Sequence, residues 1–413
     1  MSRIDDLIAE HCPDGVPFKS LGEVGTFVRG GGLQKKDFVD DGFPCIHYGQ
    51  IYTFYGTSTT ETKSFIAPEL AARLKHAESG DLVVTTTSEN IEDVCTAVAW
   101  LGEGPIAIGG HSCVFKHTLD PMYAAYFFQT EQFELQKRKF VTGTKVKDIK
   151  VSEIARVKIP VPSLAIQREI AAILDKMERL KTELEAELEA ELELRSRQYA
   201  FYRDSLLTFA ERERVEWRLM AEVGDFFRGR RFTKGDFVPE GIPSIHYGEI
   251  YTDYGVFARE ALSNVRHELK PNLRFARQGD VVIAGVGETV EDVGKAVAWL
   301  GDDDVAIHDD CFAFRHTMDA KFVAYYCQTD SFHTELSRHV SRAKVKRISA
   351  ASLGQLKIPV PSLVEQVKIV AILDKFDALV NDLSIGLPAE IRARQAQYEY
   401  YRDKLLTFEE AAA

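Results

Sequence analysis

Lys158-Ile159-Pro160-Val161-Pro162-Ser163-Leu164 returns 199 positions later as Lys357-Ile358-Pro359-Val360-Pro361-Ser362-Leu363, and the residues on either side return with it. Upstream, Ile46-His47-Tyr48-Gly49 falls on Ile245-His246-Tyr247-Gly248, and Ala97-Val98-Ala99-Trp100-Leu101-Gly102 on Ala296-Val297-Ala298-Trp299-Leu300-Gly301. Downstream, Tyr202-Arg203-Asp204-Ser205-Leu206-Leu207-Thr208-Phe209 falls on Tyr401-Arg402-Asp403-Lys404-Leu405-Leu406-Thr407-Phe408, with no gap across the span. A repeat this long is not a solenoid unit of a few dozen residues. Each copy is therefore a whole domain with something attached, and the chain presents two nearly equivalent surfaces.

The repeated junction separates two kinds of sequence. Before it, short β-favouring stretches such as Asp81-Leu82-Val83-Val84-Thr85-Thr86 and Asp280-Val281-Val282-Ile283 alternate with helical ones such as Tyr123–Gln129 and Phe322–Gln328, which predicts a mixed globule. After it, serine can cap a helix. From there Ile170, Leu174, Met177, Leu180, Leu184, Leu188, Leu192, Tyr199 and Leu206 recur every three or four residues. That is one amphipathic helix, about 60 Å long at 1.5 Å per residue. Ser362-Leu363-Val364-Glu365 reads as a full capping box for the second helix. Ile385-Gly386-Leu387-Pro388 replaces Ala186-Glu187-Leu188-Glu189, so that helix should break near Gly386 and restart at Pro388.

Large apolar residues left wet forfeit about 1.5 kcal/mol each. The stripes are expected to cover one another, the helices packing antiparallel as a coiled-coil rod with a globule at each end; a solvated Glu-Ala-rich helix is the alternative. The predicted fold is α+β: residues 1–162 as the first globule, with a short helix at about 2–10; 163–210 as the first long helix; 211–361 as the second globule; and 362–413 as the interrupted second helix. Asp5, Leu7 and Ile8 fall on Asp204, Leu206 and Leu207 at the same shift, so the start of the chain is expected to give the first globule what the first helix's end gives the second.

Net charge is −12, but the sign is uneven: Glu183 to Glu193 alternate along one segment, while basic residues gather in others. No apolar run approaches a membrane span and the start has no signal-peptide core, so a cytoplasmic protein is expected. The six cysteines fit no metal spacing or paired framework. His47 and His246 have no second ligand at metal spacing, Ala284-Gly285-Val286-Gly287 is not a dinucleotide fingerprint, and no Asn/Asp-Pro-Pro-Tyr/Phe methyltransferase tetrapeptide occurs.

His11-Cys12-Pro13-Asp14-Gly15-Val16-Pro17-Phe18, the Lys-Ile-Pro-Val-Pro-Ser-Leu junction, Glu365-Gln366 and Tyr-Arg-Asp-x-Leu-Leu-Thr-Phe together resemble the specificity subunit of type I restriction-modification systems. The departures are Ile166-Gln167 for Glu-Gln and the Gly386/Pro388 break. The resemblance implies two target recognition domains, each reading half of a split double-stranded DNA sequence, with helices that set the spacing and dock two methyltransferase subunits. Endonuclease/translocase subunits would join them. S-adenosylmethionine, ATP and magnesium would belong to those partners, leaving this chain without cofactor, metal or catalytic residue, and without a membrane partner. Because the two domains are near copies, the target is expected to be nearly palindromic.

Base readers should lie where the copies differ, and phosphate contacts where they share charge. One loop sets Arg29, Lys35 and Lys36 against Arg228, Arg230, Arg231 and Lys234; a solvated surface turn is the alternative reading. A second sets Lys145 and Lys147 against Lys344, Lys346 and Arg347, with the alternating lysines on one face of a strand. A third sets Thr85–Asn90 against Ala284–Thr289, its hydroxyls and Asn90 being candidate base readers. An orphan DNA-binding scaffold without enzyme partners, or a coiled-coil adaptor that binds protein, remain the rival functions.

Overall fold

The computed structural model describes residues 3–209, 215–341, 343–381 and 386–411, with side chains from residue 6 onward. Ser2 and Ile385, which entered the sequence reading, lie outside them, as does the 211–214 boundary. The chain forms two compact units: Met1–Ala186 with Arg392–Ala413, and Glu187–Ile391.

In the first unit, Phe18–Ser20 pairs antiparallel with Lys158–Pro160, so the strand that opens the globule is closed by the strand that leaves it. Between them lie two five-stranded sheets. One runs in the order Gly25–Arg29, Ser112–His117, Leu82–Thr85, Ala97–Trp100, Ser58–Thr59; the other Phe38–Val39, Ser64–Ile66, Phe43–Ile46, Ile106–Ile108, Lys75–Ala77. Leu82–Thr85 is buried throughout because both of its faces are covered. Leu82 and Val84 enter one core with Tyr123, Phe127 and Phe133, while Val83 enters another with Trp100 and Ile108. The helix Pro121–Phe127 starts where Asp120 Oδ1 accepts the N–H groups of Met122 and Tyr123, with Pro121 in the position that needs no N–H.

The second unit has the same plan. Glu216–Leu219 pairs with Lys357–Val360, and both sheets keep their strand orders. Val281 and Ile283 face one core, Val282 and Ala284 the other.

A continuous 45-residue helix, Leu164–Thr208, separates the two repeats. Its start is held by Gln167, 2% exposed, whose Oε1 accepts Asp120 N–H at 2.9 Å and whose Nε2 donates to Pro162 O at 2.7 Å. Gln366 repeats this with Asp319 N–H and Pro361 O, both at 2.8 Å. The predicted capping box is only half made. Ser362 Oγ accepts Glu365 N–H at 3.4 Å, but the exposed Glu365 carboxylate returns no bond to Ser362 N–H among the described residues, because the buried amide beside it already anchors the turn.

In the second repeat the helices are Leu363–Asn381 and Leu387–Leu405, the latter with Pro388 in its first turn and Gly386 O accepting from Ala389 and Glu390. Within the first unit, the Lys181 ammonium lies over the Tyr398 ring at 4.5 Å. Within the second, Tyr199 OH donates to Asp377 at 3.3 Å and Tyr202 stacks on Phe376 at 5.3 Å, the numbers falling on one helix as they rise on the other. Leu180 remains more than half exposed, so the apolar stripe is covered only in part.

The repeat closes differently from the expectation. In the second unit Asp204 Oδ2 accepts Asp330 N–H at 3.1 Å, and Leu207 is fully buried. In the first, the matching positions Asp403 and Leu406 come from the end of the C-terminal helix and the turn after it, while Leu7 and Ile8 of Arg3–His11 pack partly buried against the same core. Val16 then bonds to Glu409 O and Ala411 N–H at 3.0 and 3.1 Å.

Candidate nucleic-acid interface

The three candidate stretches, far apart in sequence, meet around one loop in each unit. In the first unit that loop is Gly109–His111. Strand Gly25–Arg29 ends beside it, Arg29 Nε donating to Gly110 O at 3.4 Å. Thr87 Oγ1 bonds to His111 Nδ1 at 2.9 Å, and Thr87–Ser88 pairs with Lys147–Asp148 in the register Lys147↔Ser88 and Asp148↔Thr87.

In the second unit the loop is His308–Asp310. Gly229 passes so close to it that a Cβ would lie 2.1 Å from His308 O. Arg228 Nε donates to Asp309 O, and its Nη2 faces Asp309 and Asp310 carboxylate oxygens at 3.8 and 3.6 Å. Arg347 Nη1 meets the same Asp310 oxygen, Oδ1, at 3.4 Å. Val286–Gly287 pairs with Lys346–Arg347. Arg228 and Arg347 therefore share a carboxylate that the sequence reading had not picked out. His308, Asp309 and Asp310 could gather ligand atoms within 4.8 Å, but the guanidiniums already supply the cations that these carboxylates face.

Other candidates hold exposed positions on the rim. Lys35 and Lys36 lie on a turn closed by Asp37 on Gln34 N–H, and Lys234 on its copy, closed by Asp236 on Thr233 N–H. Arg230 and Arg231 immediately precede the buried Phe232. None of these five pairs with an acid among the described residues.

Two expectations change. The alternating lysines are not one strand face: only Lys147 and Lys346 lie on strands, while Lys145 and Lys344 sit in the hairpin turns. Gly143, at φ 97°, closes the first turn. Lys147 Nζ folds back on Gly143 O at 3.1 Å, and Lys346 Nζ on Ala343 O at 3.0 Å. The third stretch is also less available than its hydroxyls suggest. Thr85, Thr86 and Thr87 are buried, and the exposed Asn90 is engaged with Asp93, donating from Nδ2 and accepting at Oδ1.

The Ile-His-Tyr-Gly histidines are structural caps, His47 and His246 each accepting through Nδ1 the N–H two residues on at 3.2 Å. Burial, helped by His308 and Lys234 nearby, pushes His246 down to about 4, and burial likewise lowers His47. Both caps are therefore neutral near pH 7. Tyr48 lies against His111 and Tyr247 against His308, although the two histidines occupy different positions in the repeat.

Fold and site together define a duplicated α/β protein, two domains with exposed basic residues on their loops, separated in sequence by a long helix. The family model for the type I restriction modification DNA specificity domain matches residues 13–194 and 215–393, and the chain belongs to that family. It is 37% identical over 279 residues to the Escherichia coli EcoR124I/EcoR124II specificity subunit, a match covering 62% of this chain and 65% of that subunit's length. Its fold resembles a chain from the type I R-M system, solved in work on complex assembly and conformational transition, at TM-score 0.66 and 19% identity over 95% of this chain and 97% of that one. It also resembles the HsdS subunit from Thermoanaerobacter tengcongensis, at TM-score 0.53 and 19% identity over 95% and 96%. No described helix is long and apolar enough to cross a membrane.

Proposed function

We propose that this chain is the DNA sequence-recognition subunit of a type I restriction-modification complex. Its two domains read the halves of a split, nearly palindromic double-stranded sequence, and the helical segments set the half-site spacing and dock two methyltransferase subunits. The chain itself is non-catalytic. S-adenosylmethionine, ATP and magnesium are held by the methyltransferase and endonuclease/translocase partners, and the complex works in the cytoplasm. The observation that carries the reading is the convergence, in both units, of the same three candidate stretches on one loop edged by exposed cations: Arg29, Lys35, Lys36 and Lys145 in one, Arg228, Arg230, Arg231, Lys234, Lys344 and Arg347 in the other. Such cations suit phosphates, and arginines suit guanine edges.

The test is single-molecule mapping of methylated bases in the host genome with and without this gene. A split motif that vanishes on deletion supports the reading, whereas an unchanged map rejects it in favour of a DNA binder without enzyme partners.

A further inference from the structure

The two units differ in charge at matching points of the rim, and at one of them the sign is reversed. Where the second has Asp310, the first has His111; where the second has Arg347, the first has Asp148. Both positions sit in the same local frame, since Asp148 pairs with Thr87 and Arg347 with Val286 at equivalent points of the same two-stranded ladder.

In the second unit Asp310 is only 17% exposed, and its Oδ1 faces both guanidiniums, which are 52% and 55% exposed. A guanidinium has five N–H donors in a rigid fork. Arg228 is oriented by its Nε bond to Asp309 O, and the Asp310 carboxylate, 3.6 and 3.4 Å from the two guanidiniums, offsets the repulsion between adjacent cations while each keeps donors unengaged among the described residues. An oriented fork with free donors matches the O6 and N7 acceptors of guanine. In the first unit Arg29 remains, but Asp148 offers only acceptors, which suit the N4 amino group of cytosine.

We propose, building on the functional reading above, that Arg228 and Arg347 held by Asp310 form the guanine-reading pair of the second domain. Asp148 reverses the hydrogen-bonding sense at the same point of the first, so the two half-sites differ at the base pair read there. Asp310 is a positioning residue, acting through the arginines.

The experiment replaces the chromosomal gene by Arg347→Ala, Arg347→Lys or Asp310→Ala and maps methylated bases genome-wide. Arg347→Lys keeps the charge but loses the fork, so it guards against simple misfolding. All three variants are expected to relax the same guanine position in one half-site, with discrimination there falling roughly tenfold or more, while the other half-site stays as in wild type. Asp148→Ala is expected to relax the matching position of the other half alone. A motif unchanged in Arg347→Lys and Asp310→Ala, or methylation lowered at every site without a change of motif, overturns the inference and leaves the functional reading in place. A wild-type strain whose methylation shows no split motif dependent on this gene overturns the functional reading itself.

Discussion

The Asp403 carboxylate accepts the backbone N–H of Glu131 at 3.3 Å across 272 positions of sequence. Asp204 does the same for Asp330 in the second unit, at 3.1 Å. Each carboxylate takes an N–H at the start of a short helix that has no partner within it. Asp403→Ala is expected to cost about 1–2 kcal/mol in the first unit, and Asp204→Ala a similar amount in the second. Hydrogen exchange of Glu131–Lys137 against Asp330–Ser337 checks that each loss stays in its own unit.

Gln366 and Glu365 stand side by side with opposite expectations. Gln366→Leu strands Asp319 N–H and Pro361 O in the interior, which costs about 2–3 kcal/mol. Glu365→Ile, the residue type found at the matching position 166, touches an exposed side chain and should change stability by less than about 0.5 kcal/mol. Urea denaturation of the two variants separates them.

The cores differ at one coupled pair. In the first unit Lys137, 1% exposed, donates to Glu92 O and Val94 O and pairs with Glu134, beside Cys95 at φ 66°. In the second, Leu336 stands for Lys137 and Gly294, at φ 88°, for Cys95; a Cβ on Gly294 would lie 2.3 Å from Leu336 Cδ1. Gly294→Ala should destabilise by roughly 2 kcal/mol through overpacking and left-handed backbone. A double-mutant cycle with Leu336→Ala should show coupling of about 1 kcal/mol, and additive losses would contradict the contact.

Acid should weaken the fold through the neutral histidine caps. His246 is lowered to about 4 when folded, against about 6.5 unfolded. Below pH 6.5 the unfolded chain gains a proton that the folded one refuses, so this contribution is complete above 6.5 and fades as pH falls toward 4. His246→Asn keeps a good cap without the titration. Its melting temperature should fall less between pH 7 and pH 5 than that of wild type.

If the rim meets phosphates, its lysines should not count equally. Lys145 has no partner among the described residues, whereas the Lys147 ammonium is tied to Gly143 O. Lys145→Ala in the assembled complex should weaken binding to all sequences alike and reduce the slope of log K against log salt by about 1, with a smaller change for Lys147→Ala. Anisotropy titrations at several salt concentrations read both.

Much of this architecture was legible because it is written in local periodicity. Leu82-Val83-Val84 is apolar on both faces of its strand, Tyr123–Gln129 reads as a buried helix, and the repeat itself needs no structure to be seen. The site was legible only as segments. That Arg228 and Arg347 share Asp310 depends on the register of Val286–Gly287 with Lys346–Arg347 and on the return of Cys311–His316 beside Gly224–Arg228, which no spacing encodes. The lysine alternation misled because Gly143 turns the backbone where a strand was expected. The hydroxyls of Thr85–Thr87 misled because residue type does not reveal burial.

The first unit is completed by Arg392–Ala413, while the second is built from the uninterrupted stretch Glu187–Ile391. A ribosome adding about 5–20 residues per second finishes the whole second unit before it makes Asp403 and Leu406. The half of the protein that is translated first is thus the last able to close, and its core must wait with the Leu406 site open for some tens of seconds, about 200 residues at that rate. The N-terminal helix, Arg3–His11, is already made throughout that interval, and its Leu7 and Ile8 cover part of the same core.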